Sequence, residues 1–151
     1  MDTSKRILII DHHPEWLQFA QEVLQEEYDV LAATSFEEAR QCCIQEGRSQ
    51  EFDLILIGLA LATSNLNAIK SLGKQWRFVV MFPVFQEDET LRVLFKAGVY
   101  DCTDKPYERE GLLKLVADEL SIAMQLNGIR RFRNQRKQAE RAALGLESIL
   151  N

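Results

Sequence analysis

Short apolar runs alternate with amphipathic helical segments along most of the chain, and this alternation limits the fold more than any other feature. The continuous apolar runs Ile7–Ile10 and Leu54–Ile57 are typical of strands that are covered on both faces. Further strands are predicted at Tyr28–Ala33, Phe78–Phe82 and Val99–Thr103. Because helical patterns separate these strands, the sequence predicts a doubly wound α/β fold with a five-stranded parallel sheet.

Local signals mark several helix ends. Pro14 is well placed in the first turn of the first helix, and the Ser35–Glu38 segment has a capping-box pattern. Gly98 predicts a helix stop, and a long helical pattern begins at Glu110. We interpret Thr63–Asn65 as only a loop and a helix cap.

In a doubly wound sheet the functional crevice lies outside the carboxyl ends of the strands, beside the topological switch point. This rule nominates four short stretches, which follow the first, third, fourth and fifth predicted strands. They are Asp11–His13, Gly58-Leu59, Pro83-Val84 and Thr103–Pro106.

The same strands and loops resemble the receiver domains of response regulators in two-component signalling. The resembling segments are Ile7–Pro14, Asp53–Gly58, Val79–Pro83 and Lys96–Tyr107, and the resemblance covers roughly residues 5–126. It implies a flavodoxin-like sheet with the strand order 2-1-3-4-5. It also implies a phosphorylation site at the carboxyl end of the third strand.

The resemblance places two charged residues at positions that the family uses. Asp11 matches the first of two acids that help to hold Mg²⁺, and Lys105 matches the lysine that contacts the phosphoryl group. In the family a proline follows this lysine, here Pro106, usually through a cis bond. We expect Lys105 and Asp11 to form an ion pair across the site.

Other positions depart from the family's pattern. Gly58 stands where the phosphoacceptor aspartate is expected, and His12 replaces the second acid. Pro83 replaces a hydroxyl residue, and Cys102 replaces the aromatic switch residue. Mg²⁺ prefers carboxylate oxygens, so we expect its binding to be lost and predict no cofactor. The chain is therefore interpreted as a degenerate receiver, or pseudo-receiver, with no catalytic residue.

Alternative sites are weaker. Adjacent His12 and His13 are expected to diverge as solvated loop side chains, so a transition-metal site is disfavoured. Asp53 begins its strand and, like Asp101, is an improbable substitute acceptor. The adjacent pair Cys42-Cys43 is expected to pack in a core rather than to react.

The carboxyl-terminal segment differs in charge from the body. Residues 1–128 carry 12 basic and 21 acidic residues, whereas residues 129–151 carry 6 basic and 2 acidic ones. A short coiled-coil seam with 3-4 spacing is predicted there. The proposed interaction residues are Leu126, Ile129, Phe132, Ala139, Leu146 and Ile149. Asn127-Gly128 could stop a helix, but a continuous helix is slightly favoured, with a receiver-like domain over 1–127 and an extension over 128–151.

These observations predict a non-enzymatic module that binds itself as a homodimer and binds a signalling protein such as a kinase or an output domain. A still-phosphorylated regulator with another acceptor and a small-ligand-binding flavodoxin-like domain remain open alternatives. No apolar stretch is long enough to insert in a membrane, and the three cysteines form no disulfide framework, so a cytoplasmic location is expected. The acidic body disfavours nucleic acid, which stays possible only for the basic segment.

Overall fold

The computed structural model describes residues 5–45, 52–73, 78–82 and 88–144. The strands are β1 (Arg6–Ile10), β2 (Asp29–Ala33), β3 (Leu54–Gly58), β4 (Phe78–Phe82) and β5 (Asp101–Asp104). The helices are α1 (Pro14–Leu24), α2 (Phe36–Gln45), α3 (Leu59–Ser64), α4 (Leu66–Gly73), α5 (Asp88–Ala97) and α6 (Arg109–Leu144).

All strand pairs are parallel, and the order in the sheet is β2-β1-β3-β4-β5. The predicted α/β class and strand order are therefore confirmed. The chain moves outward from β1 to β2 and then returns to place β3 on the other side of β1. This reversal opens a crevice between the carboxyl ends of β1 and β3.

Two apolar layers cover the sheet. Alternate β1 residues point to opposite faces, so Ile7 and Ile9 pack with α1 and α6, whereas Leu8 and Ile10 pack with α2 to α5. The residues of β3 and β4 are buried throughout, as expected for central strands with helices on both faces. The two layers fix the strand ends rigidly in place, and these ends carry the site.

Three predicted helix signals have the expected geometry. Pro14 is the first residue of α1. The Ser35 hydroxyl accepts a hydrogen bond from the Glu38 N–H at 3.1 Å, while the Glu38 carboxylate accepts hydrogen bonds from the Thr34 N–H and hydroxyl. Gly98 has a φ of 106°, a left-handed conformation that glycine adopts without strain, and it ends α5.

Two predicted boundaries were wrong. Thr63 and Ser64 lie in α3 rather than in a loop, because their hydroxyls donate to carbonyls one turn earlier and leave the helix intact. Asn65 lies between two helices: its N–H donates to the Ala62 carbonyl at the end of α3, and its carbonyl accepts the Ile69 N–H in the first turn of α4. The last strand begins at Asp101 rather than at Val99, since Val99 N–H still donates to the Leu94 carbonyl in the turn that closes α5.

Helix α6 passes through Asn127-Gly128 without a break. Its 36 residues give a helix about 54 Å long. The buried apolar side chains described on α6 are Leu112, Val116, Leu120 and Ala123. Within the described residues, no helix is both long and apolar enough to cross a membrane.

Candidate functional site

Three strand ends bring the nominated residues together. Asp11 directly follows β1, Gly58 ends β3, and Lys105 directly follows β5. They line one cavity of about 1010 Å³ with the loop histidines and the first turns of α1 and α3. The predicted crevice is therefore present. Pro83, the fourth nominated position, lies outside the described residues.

Asp11 is fully buried at the floor of the crevice. Its own N–H donates to the Ala33 carbonyl at 3.1 Å, which continues the β1–β2 ladder by one residue. Its Oδ1 accepts the His13 N–H at 2.8 Å. Its Oδ2 lies 2.7 Å from the Lys105 ammonium, whose side chain is only 8% exposed. The ion pair expected across the site is present, and its burial means that removing either partner would leave a buried charge without compensation.

Gly58 leaves the space that this ion pair uses. A Cβ atom at position 58 would lie 2.9 Å from Asp11 Oδ2 and 3.1 Å from Asp11 Cγ. Gly58 has a φ of −65° and a ψ of 144°, a conformation open to any residue, so backbone strain does not require glycine here. Close approach of the Asp11 carboxylate does require it. The Asp11 carboxylate that contacts Lys105 therefore occupies space that a side chain at position 58 would need.

Trp16 holds the other side of Lys105. The Lys105 ammonium lies 4.7 Å from the Trp16 ring centroid, within the range of a cation–π contact. The Trp16 indole N–H donates to the Pro106 carbonyl at 2.8 Å and fixes the β5–α6 loop against α1. In the sequence, Trp16 is one of the apolar residues that recur at helical spacing in α1, and this pattern indicates only a core position. A buried indole N–H needs a hydrogen-bond acceptor, and this requirement is the signal in the sequence that could have indicated such a contact.

The Lys105–Pro106 peptide bond is trans, and no bond among the described residues is cis. The cis bond that the resemblance implied is therefore wrong for this chain. The trans form is intrinsically preferred even before proline, and Lys105 reaches Asp11 with it.

The two histidines do not diverge as expected. Their ring centroids lie 4.0 Å apart, with the planes tilted by 46°. Both Nδ1 atoms face Asp11 Oδ1, at 4.0 Å for His12 and 3.4 Å for His13. The physical reason is the Asp11 Oδ1 contact with the His13 N–H, which turns the backbone of the loop tightly around the carboxylate.

The described residues do not fit the Mg²⁺ of the receiver family. Mg²⁺ takes hard oxygen ligands in near-octahedral geometry, usually with more than one carboxylate or phosphate oxygen nearby. Here Asp11 is the one carboxylate at the described strand ends β1 and β3, and one of its oxygens already contacts Lys105. Gly58 offers no side-chain ligand, and His12 offers nitrogen.

The substitute acceptors are far from the crevice. Asp53 lies just before β3 and Asp101 begins β5, so both stand at the opposite ends of their strands from the crevice. Asp53 accepts the Arg6 N–H at 2.8 Å, and Asp101 accepts the Cys102 N–H at 2.9 Å. Each carboxylate therefore accepts a backbone N–H at the start of a strand, on the side of the sheet away from the crevice.

Cys102 is not an activated nucleophile. Burial, helped by the negative charge of Asp101, raises the pKa of Cys102 to about 11, so its thiol stays protonated near neutral pH. Cys43 is buried in the layer under α2, and Cys42 packs at its edge. None of the three cysteines forms a disulfide bond.

The proposed α6 interaction residues are only partly described. The helix includes Leu126, Ile129, Phe132 and Ala139, of which Ala139 is exposed. Leu146 and Ile149 lie outside the described residues. Among the other residues whose burial is described, the large exposed apolar side chains lie on α5, on α6 and in the two connections that flank β5. They are Val93, Phe95, Tyr100, Tyr107, Ile122 and Met124.

Comparisons with known proteins agree with this fold. A receiver domain protein from Methanospirillum hungatei is 23% identical, with a TM-score of 0.67 over 82% of this chain and 98% of that one. A two-component response regulator from Clostridium difficile is 25% identical, with a TM-score of 0.63 over 78% and 96%. NtrX from Brucella abortus, solved with ADP, is 16% identical, with a TM-score of 0.68 over 87% of this chain and 29% of that one.

No curated protein sequence matches the chain. The family model of the response regulator receiver domain matches residues 7–117, which is well over half of the 151 residues. With the strand order and the Asp11–Lys105 crevice already in place, this match shows that the chain belongs to the response regulator receiver family.

Proposed function

We propose that this receiver works without phosphorylation at the third strand and acts by protein–protein interaction. The observation that carries the proposal is the Asp11–Lys105 contact over Gly58. A receiver needs an acceptor oxygen at this place, together with a cation and a lysine that neutralise the transferring phosphoryl group. Here the acceptor oxygen is absent and Lys105 already neutralises Asp11.

The expected partners are a second copy of the chain and a signalling protein such as a kinase or an output domain. Large exposed apolar side chains on α5, on α6 and in the two connections that flank β5 support an interaction surface at this edge of the sheet. The length of α6 supports a second contact, because the 21 helical residues after Ala123 extend for about 30 Å. Most helical stability in proteins comes from packing of an apolar face, so a partner helix would stabilise this segment.

The cytoplasmic location stays a prediction, supported by three cysteines that form no disulfide bond. Nucleic acid remains a possible partner only of the basic segment 129–151.

Intact mass spectrometry tests the proposal. The chain is incubated with acetyl phosphate and Mg²⁺, and we expect no species heavier by about 80 Da, the mass of one phosphoryl group. Gly58→Asp is the matched comparison, since it returns a carboxylate to the end of β3. A stoichiometric, base-labile adduct on the unmodified chain would refute the proposal and favour a regulator with another acceptor.

Magnesium supplies a second arm of the same test. Millimolar Mg²⁺ should leave the melting temperature of the unmodified chain unchanged, because Asp11 is the one carboxylate at the described ends of β1 and β3 and it already contacts Lys105. The Gly58→Asp variant should gain a saturable rise. A saturable rise in the unmodified chain would instead show a working magnesium site.

A small-ligand-binding domain is the second candidate function, favoured by the cavity of about 1010 Å³. Cavities of this size accommodate drug-sized molecules. A screen of nucleotides and small organic acids by melting temperature separates the two, since a ligand that binds only the folded state raises stability. A shift that Trp16→Ala abolishes would support ligand binding in the crevice.

A further inference from the structure

We propose that the loop after β1 binds one divalent transition-metal ion of the Zn²⁺ class, with Asp11, His12 and His13 as its protein ligands. This inference is independent of phosphorylation and of dimerisation. Carboxylate and imidazole atoms of these three residues all lie within 4.8 Å of one another. Both imidazoles face the same carboxylate oxygen, although they are neighbours in sequence.

The distances suit a tetrahedral ion. Two ligands about 2.1 Å from a zinc ion at the tetrahedral angle stand roughly 3.4 Å apart. His13 Nδ1 lies 3.4 Å from Asp11 Oδ1, and His12 Nδ1 lies 4.0 Å from it. Both histidine side chains are largely exposed, at 45% and 62%, so a small rotation can bring them to the ion without disturbing the core.

Asp11 has a lone pair available for the ion. A carboxylate offers about four acceptor positions. The His13 N–H uses one on Oδ1, and the Lys105 ammonium contacts Oδ2. A second direction on Oδ1 is left toward the histidines. The His13 N–H and Lys105 then act as outer partners that hold the carboxylate in place, as such groups do around metal ligands generally.

The ligand chemistry selects the class of ion. Imidazole nitrogen suits Zn²⁺, Ni²⁺ and Cu²⁺, whereas Mg²⁺ requires oxygen. The departure of His12 from the receiver pattern therefore changes the preferred ion. Three protein ligands leave a fourth position open toward the cavity, for water or an anionic group.

Lys105 lowers the affinity, because its charge stands close to the proposed ion. Removing this charge should change Zn²⁺ affinity only if the ion binds beside Lys105, so the change distinguishes a metal site from a loop with no metal site. Lys105→Met removes the competing charge and should tighten Zn²⁺ binding on the order of fivefold or more. It should do so even though the variant is less stable without metal.

Isothermal titration of the full chain with Zn²⁺ and then with Mg²⁺ tests the proposal. We expect one Zn²⁺ per chain and no heat of binding from Mg²⁺. The chain has only two histidines, so the double variant His12→Asn with His13→Asn removes every imidazole. We expect its Zn²⁺ affinity to fall by on the order of tenfold or more.

Glu15→Gln is the matched control, because Glu15 lines the same cavity but lies outside the proposed ligand set. Its Zn²⁺ affinity should stay unchanged. Co²⁺ spectra separate this site from a thiol site, since ligation by Asp11 and the histidines gives no thiolate charge-transfer band.

Three results would overturn the proposal. The first is an absence of Zn²⁺ binding up to about millimolar concentration, far above the range of built sites. The second is a double histidine variant that binds Zn²⁺ within about twofold of the unmodified chain, which would show that the imidazoles are not ligands. The third is a thiolate band with Co²⁺, which would assign the ion to cysteine. None of these results would alter the outcome of the phosphodonor experiment.

Discussion

Substitution of Gly58 by alanine tests whether the missing side chain and the Asp11–Lys105 ion pair depend on each other. The added Cβ would lie 2.9 Å from Asp11 Oδ2, closer than real Cβ contacts allow. Something must therefore move. The carboxylate is held by the Lys105 ammonium at 2.7 Å and the His13 N–H at 2.8 Å, in a position with no exposure.

Two opposed effects set the magnitude. Replacing glycine by alanine in a permitted conformation stabilises a protein by about 0.4–1 kcal/mol through the unfolded chain. Forcing one carbon into a packed site costs about 1–3 kcal/mol. Because the displaced atom belongs to a buried charge, we expect the cost to dominate. The Gly58→Ala variant should lose about 1–2 kcal/mol of unfolding free energy, which lowers its melting temperature by roughly 2–8 °C.

Urea unfolding measures this loss, and a double-mutant cycle identifies its cause. In the Asp11→Ala background the carboxylate is gone, so the same Gly58→Ala change should be neutral or slightly stabilising. Asp11→Ala alone will destabilise the chain by leaving Lys105 buried without its partner. If Gly58→Ala costs the same in both backgrounds, or stabilises the unmodified chain, the contact does not explain the glycine.

Three further predictions concern Lys105, helix α6 and Cys102. Lys105→Met should cost about 3–5 kcal/mol in urea unfolding, because it leaves a buried charge unpaired, whereas Lys114→Met on the exposed face of α6 should cost under about 1 kcal/mol. A chain ending at Asn127 should associate more weakly with itself in sedimentation than the full chain, and equal monomers at high concentration would remove dimerisation from the proposed function. The raised pKa of Cys102, about 11 against 9.0, means that the unfolded chain loses its proton first as pH rises. Stability should therefore be full below pH 9.0 and should fall from there to about pH 11, and this fall should be smaller in Cys102→Ala.

The sequence predicted the sheet because its signal is direct. Strands covered on both faces must be apolar at every position, and Leu54–Ile57 and Phe78–Phe82 have that pattern. Helix α3 was missed for the opposite reason. It follows β3 with no turn residue between them, and Thr63 and Ser64 are common in caps. Whether such hydroxyls cap a helix or donate back into it depends on contacts that no local pattern records.

The site was predicted as a set of positions, but its side-chain geometry was not. Parallel strands of known order place Asp11, Gly58 and Lys105 at one edge of the sheet, so their meeting follows from topology. The orientation of His12 and His13 does not. It depends on a single hydrogen bond from a backbone N–H to a buried carboxylate, which has no signature in residue spacing.

The two charged residues that match the receiver pattern are also a pair whose opposite charges stabilise each other. Asp11 and Lys105 are both largely shielded from water and carry opposite charges, so each makes the other's burial tolerable. Losing either one alone would leave an uncompensated buried charge. Losing the acceptor carboxylate at position 58 has the opposite effect, because it removes a second negative charge beside Asp11 and opens the space into which the carboxylate turns. The buried Asp11–Lys105 pair is neutral without any cation, so the fold does not need magnesium to balance the charge of these two side chains.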